Sequence, residues 1–498
     1  MRAGQLSAAR AIWGARRAPT GGGAYALYAF VLAAVFFVVP VVHALWVVIT
    51  TPDGIATLTS VDAPGILSFG VAVLWSGGLL VGRKRGPALL PPFLLYALTG
   101  SEIRRSVALR RPLLRSAAVI VTVLVASATL VGTVLISHGQ TRILDAAAFV
   151  VAVGAAGIVA TLSWLTGQVF PRASLPLGLA IIVVAGLSLS SPQLSTFVPW
   201  GWVGATYPTS GSPGFPLVSL VILAASFSAA TPLLLNSLTG VQLSIQAADW
   251  ERATAFSLSF DFRAASAVYG GEPRWGRGIR AVRPGRYRWA TFLVRDLIGQ
   301  VRMPVHALAA ITASATAGVA ITISFLPGMP SALLAGAAGV LAYAAGGPLT
   351  RGLRHAANVA GDYPLYGISD RHLVALHTLF PLATLIVILS LAAASAALAS
   401  DTTLGIALAG AWAIGILTLA LRLSDALKGP LPPSLLAPLS TPAGDLSVVM
   451  RIGWAVSEAV VAILGAVAAG MLPDSPVPLI LVSALVGLQV LVRWRKRR

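Results

Sequence analysis

Few residues of this chain could do chemistry inside a membrane, and Glu458 is the clearest of them. It lies in the apolar run "WAVSEAVVAILG", about two helical turns after Arg451 and on the same helical face. An acidic residue inside an apolar segment suggests a functional group, such as a contact for a cationic substrate or a proton carrier. The alternative is structural, with Glu458 paired to a buried polar group that holds the helices together. The sequence leaves both interpretations open.

Sequence signatures of catalysis are absent. An ATP-binding loop needs Gly, four residues, Gly-Lys and then Ser or Thr, and none of the three lysines, Lys84, Lys428 and Lys496, fits. Neither the zinc-binding His-Glu-x-x-His nor the hydrolase Gly-x-Ser-x-Gly occurs. Without cysteine there is no disulfide or zinc-thiolate site. We therefore predict a protein that is not itself an enzyme and that holds no cofactor or metal of its own.

The composition is that of an integral membrane protein. Of the 498 residues, 57% are hydrophobic and only 10% are charged, with a mean hydropathy of +0.85. A soluble protein has about 25% charged residues. The net charge of +19 would usually indicate nucleic-acid binding. Membrane proteins, however, collect Lys and Arg on their cytoplasmic side, so we predict no nucleic-acid partner.

The apolar runs predict an all-α polytopic protein. A membrane span needs about 20 mostly apolar residues. Twelve runs qualify on that basis: 24–50, 63–82, 116–137, 145–170, 173–190, 216–236, 304–326, 329–349, 379–400, 402–421, 449–471 and 476–494.

The distribution of basic residues predicts the orientation. If the N-terminus lies in the cytoplasm and the twelve spans alternate, the outside segments contain a single basic residue, Arg142. Such a bias is what the positive-inside rule requires. We therefore predict that both termini and the basic connector at 83–115 are cytoplasmic.

The two halves of the chain resemble each other in the order of their segments. We predict a first six-span half at 1–236, a cytoplasmic linker at 237–285 and a second six-span half at 286–498. Each half contains two spans, a polar cytoplasmic connector and four further spans.

A basic amphipathic stretch precedes each half, at 7–19 and 286–304. In the second stretch Arg288, Arg295 and Arg302 recur every seven residues, whereas Trp and Leu side chains line another face. This pattern predicts a helix that lies in the membrane interface. The alternative is a charged extension of the following span.

The two connectors share a loose pattern at 94–113 and 363–382. Each has a Tyr, a Gly, a Ser followed by an acidic and then basic residues, and a later Pro. Ser and Asp or Glu are typical of a helix start, which predicts helices beginning at Ser101 and Ser369. Arg110 and Arg111 would close the first helix before Pro112.

The longest outside segment, 191–215, has no charged residue and contains Trp200, Trp202 and Tyr207. Aromatic residues favour the membrane interface. The segment predicts either a short re-entrant hairpin or an ordinary aromatic belt.

Six-span units with a basic interfacial helix before the first span resemble the ABC-2 type exporter permeases, and the chain of twelve predicted spans resembles two such units fused. In that family, a short cytoplasmic helix between spans 2 and 3 docks on the ATPase subunit, and a re-entrant segment lies outside between spans 5 and 6. The corresponding stretches are 94–113, 363–382 and 191–215. The segment between the last two spans is reduced to "LPDSPV", a departure from the family pattern.

The resemblance implies a permease subunit in a bacterial cytoplasmic membrane that works with separate ATP-binding cassette ATPases. ATP and Mg would be bound by that partner, and the uncharged walls suit an apolar or amphipathic cargo. The residues that it implies for ATPase coupling are Ser101, Glu102, Arg104, Arg105, Ser369, Asp370, Arg371 and His372. The alternative is that these charges only fix the topology.

Two further functions stay open. One is a membrane enzyme acting on lipid-linked substrates, for which Asp53 and Asp62 in the first outside loop are the relevant acids. The other is a membrane scaffold or assembly factor without a transport cycle.

Overall fold

The structure is a computed structural model, and it describes residues 35, 39–99, 103–211, 214–258, 262–270, 276, 278–282, 287–360, 367–400, 402–429, 431–435, 437, 440–441, 444–445 and 447–496. By its internal contacts the chain divides into two compact units, 1–255 and 256–498.

Unit 1 contains long apolar helices joined by short ones. In chain order the described helices that begin in it are α1 Val39–Ile49, α2 Pro52–Leu58, α3 Ala63–Gly82, α4 Pro92–Thr99, α5 Arg105–Ala108, α6 Arg110–Ser137, α7 Ile143–Val169, α8 Ser174–Ser190, α9 Pro192–Phe197, α10 Pro199–Ala205, α11 Gly214–Ser237 and α12 Gly240–Leu258.

Unit 2 is built in the same manner. Its described helices are α13 Phe262–Val268, α14 Arg288–Val301, α15 Pro304–Ile323, α16 Ser331–Leu349, α17 Arg351–Asn358, α18 Asp370–Leu398, α19 Leu404–Leu427, α20 Ser447–Gly470 and α21 Val477–Lys496. Between α19 and α20 lie a 3-10 turn, Pro433–Leu435, and a two-residue antiparallel ladder of β1 Ser440–Thr441 with β2 Gly444–Asp445.

Ten of the described helices are long and apolar enough to cross a membrane, so the chain is a multi-pass membrane protein. An eleventh predicted span corresponds to α8, which has 17 residues and a length of about 26 Å. Of the first predicted span, 24–50, the structure describes only α1 and residue 35, and the stretch 7–19 lies outside the described residues. The count of twelve and the cytoplasmic position of both termini stay predictions.

Local sequence explains where these helices begin and end. Pro192, Pro199 and Pro304 each begin a helix, where the missing N–H is not needed. After α6 the chain reverses at Gly139, whose φ is +69°. Its N–H donates to Ile136 O at 3.0 Å and the Gln140 N–H to Leu135 O at 2.9 Å, the Schellman arrangement that favours glycine.

Small residues allow the spans to approach closely. In unit 1, a side chain at Gly82 would collide with the backbone of Trp164, and one at Gly167 would collide with Leu79. In unit 2, Gly339 faces the backbone of Ala462 in the same manner. Such contacts replace the hydrophobic driving force that is missing between helices in lipid.

Four pairs of spans pack in both units. In unit 2, α16 contacts α19 and α20, α18 contacts α19, and α19 contacts α21. In unit 1, the spans with the same numbers in chain order make the same four contacts. These are α3 with α7 and α8, α6 with α7, and α7 with α11. We refer to the end of each unit at which its second, fourth and sixth spans finish as the basic end. In unit 1 these spans are α3, α7 and α11; in unit 2 they are α16, α19 and α21.

The connectors differ from their predicted form. Arg110 and Arg111 do not close a connector helix, because they begin α6, and Pro112 lies in its first turn, where its missing N–H costs no hydrogen bond. The first connector contains the short helices α4 and α5 instead. In the second, Asp370 begins α18, which continues through Pro381 into the span without a break.

Candidate functional site

A buried group of charged side chains lies near the basic end of unit 2, where three helices supply it. Glu458 comes from α20, Lys428 directly follows α19, and Arg493 is in the last turn of α21. The Glu458 carboxylate accepts from Lys428 Nζ at 2.5 Å on Oε2 and from Arg493 Nη1 at 2.6 Å on Oε1. We call these three residues the ionic cluster.

The ionic cluster is almost closed to solvent. The side chain of Glu458 is 1% exposed and that of Lys428 is 4% exposed. Ser457 Oγ donates a further bond to Glu458 Oε2 at 2.9 Å, and Lys428 Nζ also contacts Ser457 and the backbone oxygen of Trp454. Burial lowers the pKa of Lys428, and its bond to Glu458 opposes that shift.

This geometry bears on the two interpretations of Glu458. Both carboxylate oxygens already bind a cation, and Arg493 also donates to Ser424 O at 2.8 Å, so the cluster ties α19, α20 and α21 together. A cationic substrate would have to displace one of two internal cations. The arrangement therefore favours a structural role for Glu458.

A second charged contact in unit 2 involves Arg422 of α19. Its Nε donates to Tyr343 O at 3.0 Å, and its guanidinium lies 3.7 Å from the centre of the Tyr343 ring. Asp425 lies one turn further on, 4.0 Å from Arg422. Sequence reasoning did not single out this group, although an arginine and an acid near the end of an apolar run were a visible signal.

The amphipathic helix α14 is held by a buried histidine. His377 of α18 has no exposed side-chain surface, and its Nδ1 lies 2.8 Å from Asp296 Oδ2. On the other side of the ring, Nε2 lies 3.2 Å from Arg295 Nη1. Since a guanidinium can only donate, Nε2 must accept and Nδ1–H must donate to Asp296. We call Arg295, Asp296 and His377 the histidine bridge.

Close packing reinforces the histidine bridge. The ring of Phe292 meets the His377 ring edge to face, with centroids 4.9 Å apart. At Gly352, in α17, any side chain would collide with Asp296 and His377. The seven-residue arginine pattern predicted an amphipathic helix here, and the structure has one, with Trp289 and Leu297 on its exposed face. The bridge itself was not predicted, because Asp296 and His377 are far apart in sequence.

The predicted coupling residues of the first connector separate into two environments. Arg104 is exposed, whereas Arg105 is partly buried and donates to Leu238 O beyond the end of α11. The N–H of Ser106 donates to Asn236 Oδ1 at 3.0 Å. Ser101 and Glu102 lie outside the described residues. Arg105 thus fastens α5 to α11, and Arg104 stays accessible.

The predicted coupling residues of the second connector lie together. Ser369 occupies the N-cap position of α18 without a side-chain capping bond, and Asp370 is in the first turn. Arg371 and His372 are exposed and, with Ser369, line an open groove whose apolar part is Ala375, Leu376 and Leu379.

The segment 191–215, which the sequence predicts to lie outside, contains a helical hairpin, α9 and α10, and two of its three predicted aromatic residues are buried. Trp200 packs edge-on against Trp75 with centroids 6.5 Å apart. Tyr207 OH donates to Leu58 O at 2.8 Å. Trp202 is partly exposed and donates to Thr196 O within the hairpin. An aromatic belt would leave these rings at the surface, whereas Trp200 and Tyr207 are in the core.

No grouping in the described part of the chain would suit a metal ion. Asp53 and Asp62, the acids relevant to an enzyme, are both exposed, at the start of α2 and directly before α3. No protein-family model, no curated protein and no solved structure matches the chain.

Proposed function

We propose that the chain is the membrane subunit of an ATP-driven exporter of the ABC-2 type, coupled to separate ATPase subunits that bind ATP and Mg. The observation that carries this proposal is the start of α18. There an open groove bordered by Arg371 and His372 lies about one turn from the histidine bridge. A soluble partner in this groove would hold α18 directly and α14 through the bridge.

Two further features support the proposal. The recurrence of the same helix pairs in both units suits a permease whose two halves are fused in one chain. The hairpin of α9 and α10, with Trp200 and Tyr207 buried, has the form expected of the outer element between spans 5 and 6. The cargo would be apolar or amphipathic, and the protein would lie in a bacterial cytoplasmic membrane.

The partner is tested by purifying the tagged protein in mild detergent from cells that express its native operon. We expect an ATPase to co-purify in stoichiometric amount. The double variant R104E/R371E should release it, because both arginines are exposed in the connectors. Arg105 is left unchanged, since its contact with Leu238 O makes it part of the fold.

The matched control is R142E/R280E, which reverses two exposed arginines outside the connectors and should retain the ATPase. A preparation without any ATPase would reject the exporter function and leave the enzyme and the scaffold. If an ATPase stayed bound to R104E/R371E, the proposed exporter function would stand, but the proposed contact through Arg104 and Arg371 would be rejected.

A further inference from the structure

Three arginines at the start of α6 have no partner within the described part of the chain. Arg110, Arg111 and Arg115 are exposed, and the structure gives them neither a hydrogen bond nor an ion pair there. Their neighbour Arg105, by contrast, is held by Leu238 O. There is no acidic residue between 103 and 116 to neutralise them.

Two of these arginines continue an apolar stripe. Arg111 and Arg115 are four residues apart and therefore lie on the same helical face, one turn from each other. Further along the exposed side of this helix, Val119 and Val123 are 65% and 60% exposed, and Leu114 beside the arginines is 54% exposed. In a helix that spans a membrane, a large exposed apolar face is the face that meets lipid.

The two arginines consequently lie where an apolar, lipid-facing surface meets the basic end of unit 1. At that depth a phospholipid places its phosphate, while its acyl chains run along the apolar residues below. Guanidinium groups bind phosphate through two parallel N–H donors, with more geometric specificity than an ammonium group. Cations in the first turns of a helix also oppose the helix dipole, and a bound anion would relieve that opposition.

We propose that Arg111 and Arg115, with Arg110 beside them, form a binding site for the phosphate of an anionic phospholipid. Topology alone would require positive charge at this end of the helix. It would not require two arginines on the exposed side of the helix that continues into Val119 and Val123.

The test uses the full-length protein in detergent, titrated with phosphatidylglycerol or phosphatidylcholine. Bound lipid is counted by native mass spectrometry, and the unfolding midpoint is followed by tryptophan fluorescence. We expect phosphatidylglycerol to bind and to raise the midpoint, and phosphatidylcholine to do neither. In R111Q/R115Q the affinity should be roughly 30-fold weaker, because each arginine near an anionic surface contributes about 1 kcal/mol and 1.4 kcal/mol is tenfold.

Two variants control for net charge and for folding. R172Q/R280Q removes two exposed positive charges away from the stripe and should keep the wild-type affinity. R111K/R115K preserves the charge and should bind more tightly than R111Q/R115Q, even if the glutamine variant folds poorly. Free glycerol phosphate distinguishes a lipid from a soluble anion and should not raise the midpoint.

Three results would overturn the inference. Unchanged phosphatidylglycerol binding in both R111Q/R115Q and R111K/R115K would show that the site is elsewhere. Equal loss in R172Q/R280Q would show that only net charge matters. Equal stabilisation by free glycerol phosphate would assign the arginines to a soluble anion.

Discussion

The two units share four pairs of packed spans but hold their basic ends together with different chemistry. In unit 1 a pair of neutral amides is buried at that end: Gln168 donates to Gln246 Oε1 at 2.9 Å. Gln246 in turn accepts from Gly86 N and donates to Gly82 O. This amide pair fixes the first residues after α3, so part of the charged connector is folded into the protein. In unit 2 the corresponding end contains the ionic cluster and the histidine bridge.

The difference implies that the units respond differently to the loss of one side chain. A buried neutral hydrogen bond contributes about 0.5–1.5 kcal/mol. Removing one partner of a buried ion pair leaves an uncompensated charge, which costs about 3–5 kcal/mol. Unit 1 should therefore tolerate single substitutions at its basic end, and unit 2 should not.

The sharpest test of this contrast is E458Q. The substitution preserves the shape of the side chain but leaves the buried Lys428 and the partly buried Arg493 without a counter-charge. We expect the free energy of unfolding to fall by about 3–5 kcal/mol, read as a large drop of the unfolding midpoint in detergent.

The control for E458Q is the triple variant K428M/E458L/R493M, which removes all the buried charge and should recover most of the stability. If E458Q were as stable as the wild type, the contrast between the units would be lost. The structural role of Glu458 would then be untenable, and a group free for a proton or a substrate would be the better interpretation.

The histidine bridge should give the next largest effect, confined to one helix. In H377A, Asp296 and Arg295 lose their shared partner, and hydrogen bonds to charged groups contribute about 1.5–3 kcal/mol. We expect amide hydrogen exchange to speed up in α14 while the other spans stay protected. H372A alters the exposed histidine of the same helix and should leave exchange in α14 unchanged. Equal exchange in the two variants would mean that the bridge does not hold α14.

How much of this the sequence could predict depends on the range of the interaction. The apolar runs of about 20 residues fixed the membrane class and most spans, because length and hydropathy are local properties. The prediction was wrong at Arg110, which begins a helix and does not end one. The helix start at Ser369 was predicted correctly, but the connector helix and the following span are one continuous helix, since a polar first turn can extend a span beyond the apolar core. Glu458 was recognised because a single acid stands out in an apolar run.

Its partners could not be predicted. Lys428 and Arg493 lie 30 and 35 residues away in sequence, and only the packing of α19 and α21 on α20 brings them together. The same holds for Gln168 and Gln246, which are 78 residues apart and whose neutral side chains gave no signal of a buried pair.

The substitution Q168L tests the amide pair at the basic end of unit 1. Q168L keeps the approximate volume but removes the bonds to Gln246 and to the backbone of Ala88. We expect a loss of about 1–2 kcal/mol, clearly less than for E458Q. Q140L changes an exposed glutamine and should have no measurable effect. A loss from Q168L as large as that from E458Q would show that the two ends are equally sensitive.

The smallest effect concerns the end opposite the basic end, where unit 1 has the hairpin of α9 and α10, whereas the loop between α20 and α21 in unit 2 is short. Burial raises the pKa of the Tyr207 phenol from 10.0 to about 12, because the phenolate is disfavoured away from water. A group whose pKa is raised by folding contributes stability below its unfolded pKa, and that contribution is lost as the pH rises through the folded value. The unfolding midpoint of the wild type should therefore fall between pH 10 and 12.

Y207F isolates this contribution. At pH 8 it should be less stable by about 0.5–1.5 kcal/mol, because the bond to Leu58 O is lost. Since phenylalanine has no proton to release, its midpoint should fall less steeply than that of the wild type above pH 10, and the two curves should converge. Parallel curves would show that Tyr207 ionises as freely as an exposed tyrosine, which would contradict the burial of the hairpin and remove the main difference between the units at this end.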